Sequence, residues 1–348
     1  MRAAGRATGA QAGGGQAGAA DEARQGAAFL HVPVMSAAVV ELLVGTPEGL
    51  VVDATVGGGG HAAALLDAMP HHALIGIDRD EEAVRAAKSR LASHGARAVV
   101  AQARFDGLAA VIGERGDGRP VTALLFDLGV SSYQLDEPSR GFSYRFDGPL
   151  DMRMDRTEAV SAAEVVNGWP LEELARLFAA NGEPRFALRI ARAVVRQRPV
   201  HSTGELAELV LAALPAAARR GGGHPARRVF QAVRIAVNDE LGQLDSGLRQ
   251  ALELIAPAGR IAVISYHSGE DRLVKARLVG AARGWCSCPP QMPCVCGAVP
   301  QVRLLRRGAL KASPEDIEAN PRARSARLRA VERLDVDAAA PPSVRGPS

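Results

Sequence analysis

Aromatic side chains are scarce in this chain: two Trp, three Tyr and eight Phe among 348 residues. Any core must therefore be built mainly from Ala, Val and Leu, and a hydrophobic content of 47% is enough for a substantial one. No apolar run approaches the ~18 residues that span a bilayer, which excludes a transmembrane helix. The charged-then-apolar layout of a secretory signal is missing from the first residues. Net charge is small, +4, and such mild basicity permits an RNA or phosphate partner without requiring one. Only four Cys occur, packed into one short segment, which fits a metal site or reduced thiols rather than a secreted disulfide framework. A soluble, cytoplasmic protein with no membrane partner is expected.

What is present centres on Val51-Val52-Asp53-Ala54-Thr55-Val56, followed by Gly57 to Gly60 and His61. A strand, a glycine turn and a helix start make a cradle in which backbone N–H groups and the helix dipole approach a ligand. The same pattern also serves as plain turn punctuation. A second buried run, Ala73 to Ile77, ends in Asp78, about 20 residues past the glycines, where an acid accepts from a ribose. The alternative for Asp78 is capping the next helix, a task open also to Asp80. A third strand-helix unit runs from Ala98 to about Ile112, and a fourth strand, Val121 to Phe126, ends in Asp127. This alternation predicts a doubly wound parallel sheet with Asp53, Asp78 and Asp127 at the strand ends on the ligand side.

The pattern stops between residues 134 and 228, where amphipathic helices predict an inserted all-helical domain. Arg185, Arg189, Arg192 and Arg196 recur there at helical spacing, as a phosphate-facing stripe or as a solvated face. The sheet pattern resumes with a helix from Val229 to about Ile255 and a strand, Arg260 to His267. The expected organisation is thus a disordered extension over 1–28, a sheet domain over 29–133 and 229–335, and a flexible tail over 336–348. Ser36 is placed to cap a first helix running through Val44.

Asp127-Leu128-Gly129-Val130-Ser131-Ser132, together with the glycine turn, closely resembles the bacterial 16S ribosomal RNA cytosine-N4 methyltransferase family. Further matching stretches include His31 to Val34, Ser139 to Ser143, Pro149 to Asp155, Val229 to Ala232, Ser265 to Lys275 and Asn320 to Ser325. The chain departs from the family at Tyr266, where Phe is expected, and at Tyr133, Asn181, Pro184 and Gly269. The resemblance implies a Rossmann-like class I methyltransferase that uses S-adenosyl-L-methionine on a cytidine N4 amine in small-subunit 16S rRNA. It further implies donor contacts from Gly58, Gly59, Gly60, His61 and Asp78, with Phe105, Asp127 and Gln134 around the adenine and the remaining pocket. A homodimer is left open.

The cytosine amine is a poor nucleophile, because its lone pair is delocalised into the ring. An enzyme must position it and stabilise charge as the nitrogen becomes tetrahedral. Asp127 and its neighbours are the candidate acceptors. His267 is a candidate for substrate positioning rather than proton abstraction, since the proton leaves only after transfer. A cytidine in folded RNA must be splayed out, and the inserted domain is the natural clamp, with Arg227-Arg228 as further phosphate candidates. Cys286-Ser287-Cys288 and Cys294-Val295-Cys296 could close an all-cysteine structural zinc site, or be four reduced thiols. Two rivals remain: a nicotinamide-dependent oxidoreductase on the same sheet, and a non-catalytic RNA-binding or ribosome assembly factor.

Overall fold

A computed structural model describes residues 33–219, 224–289 and 295–335. The expected extension over 1–28, the tail over 336–348, and His31, Val32 and Cys294 lie outside the described residues. In chain order the strands are β1 (Leu50–Asp53), β2 (Ala73–Asp78), β3 (Ala98–Gln102), β4 (Val121–Asp127), β5 (Ile255–Ser265), β6 (Val302–Leu304), β7 (Leu310–Lys311) and β8 (Arg327–Arg333). They form one sheet ordered β3-β2-β1-β4-β5-β8-β6, with β7 also on β8. The first five strands are parallel, and β8 runs antiparallel to β5. Val51 and Val52 of β1 are buried, as are all of Val121–Phe126 in β4, the signature of parallel strands covered on both faces.

Two apolar layers sandwich the sheet. On one face Val52, Ile75, Leu124 and Val263 meet helices that carry Leu108, Leu244, Leu248 and Val274. On the other, Val51, Leu74, Leu125 and Ala262 meet α1 (Ser36–Leu43), α2 (Gly60–Ala68) and α3 (Glu81–Leu91). The expected Ser36 cap is not made: Met35 holds the cap position at φ 55°, with no side-chain bond.

A third core belongs to the helical unit. It includes Val165, Phe178, Ile190, Val194, Leu206 and Val210, and it extends through Val229 and Val233 to Val237. These last residues lie on a helix over Ala226–Asn238, which crosses the expected boundary at 228 and packs with the helical unit. The single helix expected from Val229 to Ile255 is in fact two. Asp239 turns left-handed at φ 46°, and a second helix, Glu240–Leu254, returns along the sheet.

Arg140 joins the two units. Only 2% exposed, its guanidinium meets Asp80 at 2.8 Å and Glu82 at 2.7 Å, and donates to the carbonyls of Arg153 and Met154. Removing it would leave Asp80 buried without its main counter-charge. No helix among the described residues is long and apolar enough to cross a membrane.

Candidate active site

The strand order reverses between β1 and β4, so the crevice beyond their carboxyl ends is the place for a ligand. A cleft of about 1120 Å³ opens there, roofed by residues of the helical unit such as Phe142, Tyr144 and Phe230. Gly58, Gly60, His61, Asp78, Phe105 and Asp127 line it, and so do Gln134 and His267.

The glycine turn works as a backbone cradle. Gly57 and Gly59 sit at φ +49° and +78°, the left-handed region that side chains disfavour. A Cβ on Gly59 would lie 3.3 Å from the Ala87 backbone, so the turn packs flush against α3. The Gly57 N–H donates to Asp78 Oδ2 at 2.9 Å, and the Asp80 N–H donates to Oδ1 at 2.9 Å. Asp80 itself caps α3 by accepting from the Glu82 N–H at 3.1 Å. Capping is thus the role of Asp80, while Asp78 faces the cleft. Burial pushes the Asp78 carboxyl up to about 6, against the hydrogen bonds from Asp80 and Gly57.

Asp53 stands at a strand end as expected, yet it lies beneath the cleft wall at 1% exposure. Its Oδ1 accepts from the Thr55 N–H at 3.2 Å, and among the described residues its Oδ2 has no hydrogen-bond partner. Burial pushes Asp53 up to about 7, against the pull of His61. His61 is 6% exposed, with Nε2 3.4 Å from Asp127 Oδ2. Burial pushes the imidazole down, but the Asp127 and Asp53 carboxylates outweigh it and hold its pKa above the ordinary value.

That burial makes a prediction about stability. A folded-state Asp53 pKa near 7 means the folded chain holds this proton more tightly than the unfolded one does. Stability therefore falls as pH rises from about 4 to about 7, by a few kcal/mol at ~1.36 kcal/mol per unit. Asp53→Asn is expected to remove this slope. Melting temperatures of both proteins across pH 4 to 8 measure it, and parallel curves would contradict the assignment.

Asp127 is held from three directions. Its backbone N–H donates to Thr55 Oγ1 at 2.6 Å, and its Oδ1 accepts from the Tyr266 hydroxyl at 2.7 Å. His61 stands at the other oxygen. Burial and the Asp127 charge push the Tyr266 hydroxyl well above its usual value, so it remains a donor. The carboxylate is a fixed acceptor, 22% exposed, on the cleft wall.

His267 caps the helix over Ser268–Ala282. Its Nδ1 accepts from the Gly269 and Glu270 N–H groups at 3.2 and 3.3 Å, and its Nε2 lies 3.2 Å from Glu270 Oε1. Nδ1 is thus engaged by the backbone and Nε2 is buried, so neither ring nitrogen is open to a substrate proton. Burial raises Glu270, but His267 and Arg234 outweigh it and hold the carboxyl below its usual range. Glu240, His267 and Glu270 bring ligand atoms within 4.8 Å of one another. Arg234 already occupies this cluster, with two 2.7 Å bonds to Glu240.

Gln134 lines the cleft with its amide engaged: Oε1 accepts from the Ser131 N–H, and Nε2 donates to Asp80 at 2.7 Å. Phe105 stands edge-on to Phe126, ring centroids 5.9 Å apart. The arginine stripe lies elsewhere. Arg185, Arg189, Arg192 and Arg196 are all exposed and none lines the cleft; Arg185 precedes its helix, which starts at Ala187, and lies over the Phe186 ring. The contact that sequence reasoning missed is Tyr266 with Asp127. Its signal is that Asp127 ends one strand and Tyr266 directly follows the end of the adjacent one.

The sequence profile of the MraW methylase family matches residues 28–334. The chain belongs to the MraW methylase family. Among the relatives of this MraW methylase is the ribosomal RNA small subunit methyltransferase H of Symbiobacterium thermophilum, 51% identical over 312 residues, covering 88% of this chain and 98% of that one. The protein of the same name from Thermobifida fusca is 52% identical over 310 residues, covering 87% and 93%. A solved structure of an rRNA methylase from Streptococcus thermophilus is a distant likeness, at 12% identity and a TM-score of 0.37 over 86% of this chain and 94% of that one.

Proposed function

We propose that this MraW methylase transfers a methyl group from S-adenosylmethionine to the N4 amine of a cytidine in small-subunit 16S rRNA. The observation that carries the reading is the Asp127 carboxylate, fixed at the strand-order reversal and opening on the same cleft as the glycine cradle and Asp78. The residues fit the donor. Glycine backbone at Gly57, Gly58 and Gly60 and the Asp78 and Asp127 carboxylates all line the one cleft, a donor set that suits a ligand carrying a positive charge and hydroxyls. Gly58, Gly60 and His61 would hold its methionine end and Asp78 its ribose hydroxyls, with Phe105 beside the adenine and Gln134 closing the wall; Gly59, expected among these contacts, is not in the cleft lining and packs against α3 instead. When bound, S-adenosylmethionine supplies an electrophilic methyl group on a sulfonium. Asp127 accepts from the N4 amine, aims the nitrogen and stabilises the positive charge that grows on it. Tyr266 and His61 keep that carboxylate in place, and His267 shapes the wall through its cap. The arginines at 185, 189, 192 and 196 would meet phosphates outside the cleft, at longer range.

The test uses small ribosomal subunits from cells lacking this enzyme, incubated with labelled donor and resolved into nucleosides. Label on cytidine N4 is the expected result. Label on another nucleoside overturns the acceptor, and donor binding without transfer favours an assembly factor.

A structural zinc in the Cys286–Cys296 segment belongs to the same reading. The sulfurs of Cys286, Cys288 and Cys296 lie within 4.8 Å of one another. The Val295 N–H donates to Cys288 Sγ at 3.5 Å. Cys294 lies outside the described residues and is the natural fourth ligand by spacing. One zinc per chain is expected by elemental analysis, with chelation lowering the melting temperature by about 4 °C or more. Metal-free protein with all four thiols titratable contradicts the site.

A further inference from the structure

We propose that Tyr144, Arg145, His224 and Arg227 form a subsite for the RNA nucleotide next to the target cytidine. The inference rests on the methyl-transfer reading and adds a binding element to it. These four residues line a recess of about 550 Å³. Tyr144, Arg145 and Arg227 also line the main cleft that contains Asp127, so the recess and the cleft are continuous.

The chemistry of the recess is that of a nucleotide. Tyr144 and His224 stack with centroids 4.6 Å apart and planes within 16°, and Phe230 braces Tyr144 edge-on at 6.0 Å. The result is a preformed flat platform whose geometry needs no ligand to set it. The Arg145 guanidinium lies 5.9 Å from the Tyr144 ring centroid, and Phe146, 48% exposed, extends the aromatic surface along the same rim. Arg145 and Arg227 are both exposed. Nearby Arg228 is matched to Glu183 at 2.9 Å and Arg234 to Glu240 at 2.7 Å, whereas Arg145 and Arg227 have no carboxylate partner among the described residues. One guanidinium over an aromatic face and a second beside it, with no carboxylate in the lining, select an anion that also carries a π-face. An acidic peptide supplies only the first of these and a single-stranded nucleotide both.

The location supplies the reason. A cytidine must leave its stack before its amine reaches Asp127, and its neighbour then loses one stacking face. The Tyr144–His224 platform replaces that face, while Arg145 and Arg227 take the adjoining phosphates. Both arginines line the cleft that contains Asp127, whereas the exposed stripe at 185–196 is not part of its lining.

Steady-state methylation of small subunits by the full chain tests the subsite, using His224→Ala, His224→Phe and the double variant Arg145→Ala/Arg227→Ala. Loss of one stacking partner should raise the subunit KM about fivefold or more in His224→Ala, and His224→Phe should restore it. The double arginine variant should raise it further and flatten its salt dependence by about two phosphate contacts. Donor affinity should stay within about twofold throughout, which a misfolded variant would not allow. Filter binding of subunits by the same proteins is read in parallel. Should the unaltered enzyme not methylate cytidine, the function reading fails while the binding ratios still decide the subsite. Unchanged KM and binding in His224→Ala and in the double variant, or a His224→Phe as impaired as His224→Ala, overturn the proposal.

Discussion

Asp127→Asn is expected to lower the rate of methyl transfer by about 10²- to 10³-fold, the usual cost of losing one preorganised group at a developing charge. The substitution is nearly isosteric, and an amide oxygen can still accept from the Tyr266 hydroxyl at 2.7 Å. What disappears is the negative charge facing the amine. The cytosine nitrogen gains positive charge only as its lone pair leaves the ring, so the carboxylate acts mainly in the transition state. Turnover should therefore fall far more than donor affinity, which should change by no more than about tenfold. Rapid-quench single-turnover rates at saturating donor, with the dissociation constant from calorimetry, separate the two. A variant that keeps both its affinity and its turnover would falsify the role of Asp127.

Asp78→Ala carries the second large effect, and it falls on binding. A ribose diol offers two hydroxyls to this carboxylate, and a charged acceptor contributes about 1.5–3 kcal/mol per bond, so donor affinity should drop by about 100-fold or more. Part of the loss is indirect, because Asp78 Oδ2 also holds the Gly57 N–H at 2.9 Å and the cradle loosens without it. The pH dependence provides an internal check. With the carboxyl pushed up to about 6, the unliganded site is partly protonated below neutrality and must lose that proton to receive the donor. Affinity should rise as pH increases through about 6 and then level off, and in Asp78→Ala that rise should vanish. Calorimetry in two buffers of different ionisation enthalpy would detect the released proton, and its absence would argue against Asp78 as the ribose acceptor.

The features legible in the sequence were those written locally. Runs such as Ala73 to Ile77 and Val121 to Phe126 announce buried parallel strands, their terminal acids mark the ligand side, and four consecutive glycines mark the turn. Relations across the chain were not legible. Tyr266 and Asp127 are 139 positions apart, and only adjacent strand ends bring them together. Nothing local marks Arg140 for burial, yet it lies at 2% exposure because Asp80 and Glu82 meet it inside. The break at Asp239 carries neither glycine nor proline; the turn is imposed by packing of two helices against different cores. Asp53 shares the strand-end pattern of Asp78, and only the path of the turn decides that one is covered while the other faces the cleft. The arginine stripe has the right period, but no sequence pattern tells which face a helix turns toward the site.

A crystal structure of this chain with S-adenosylhomocysteine and cytidine bound is the most direct test of the central claim. The account predicts the ribose hydroxyls of the nucleoside product on Asp78 and the cytosine N4 within hydrogen-bond reach of the Asp127 carboxylate. Tyr266 would still be donating to that carboxylate. A cytosine bound with its amine turned away from Asp127, or a ribose that leaves Asp78 untouched, would contradict it.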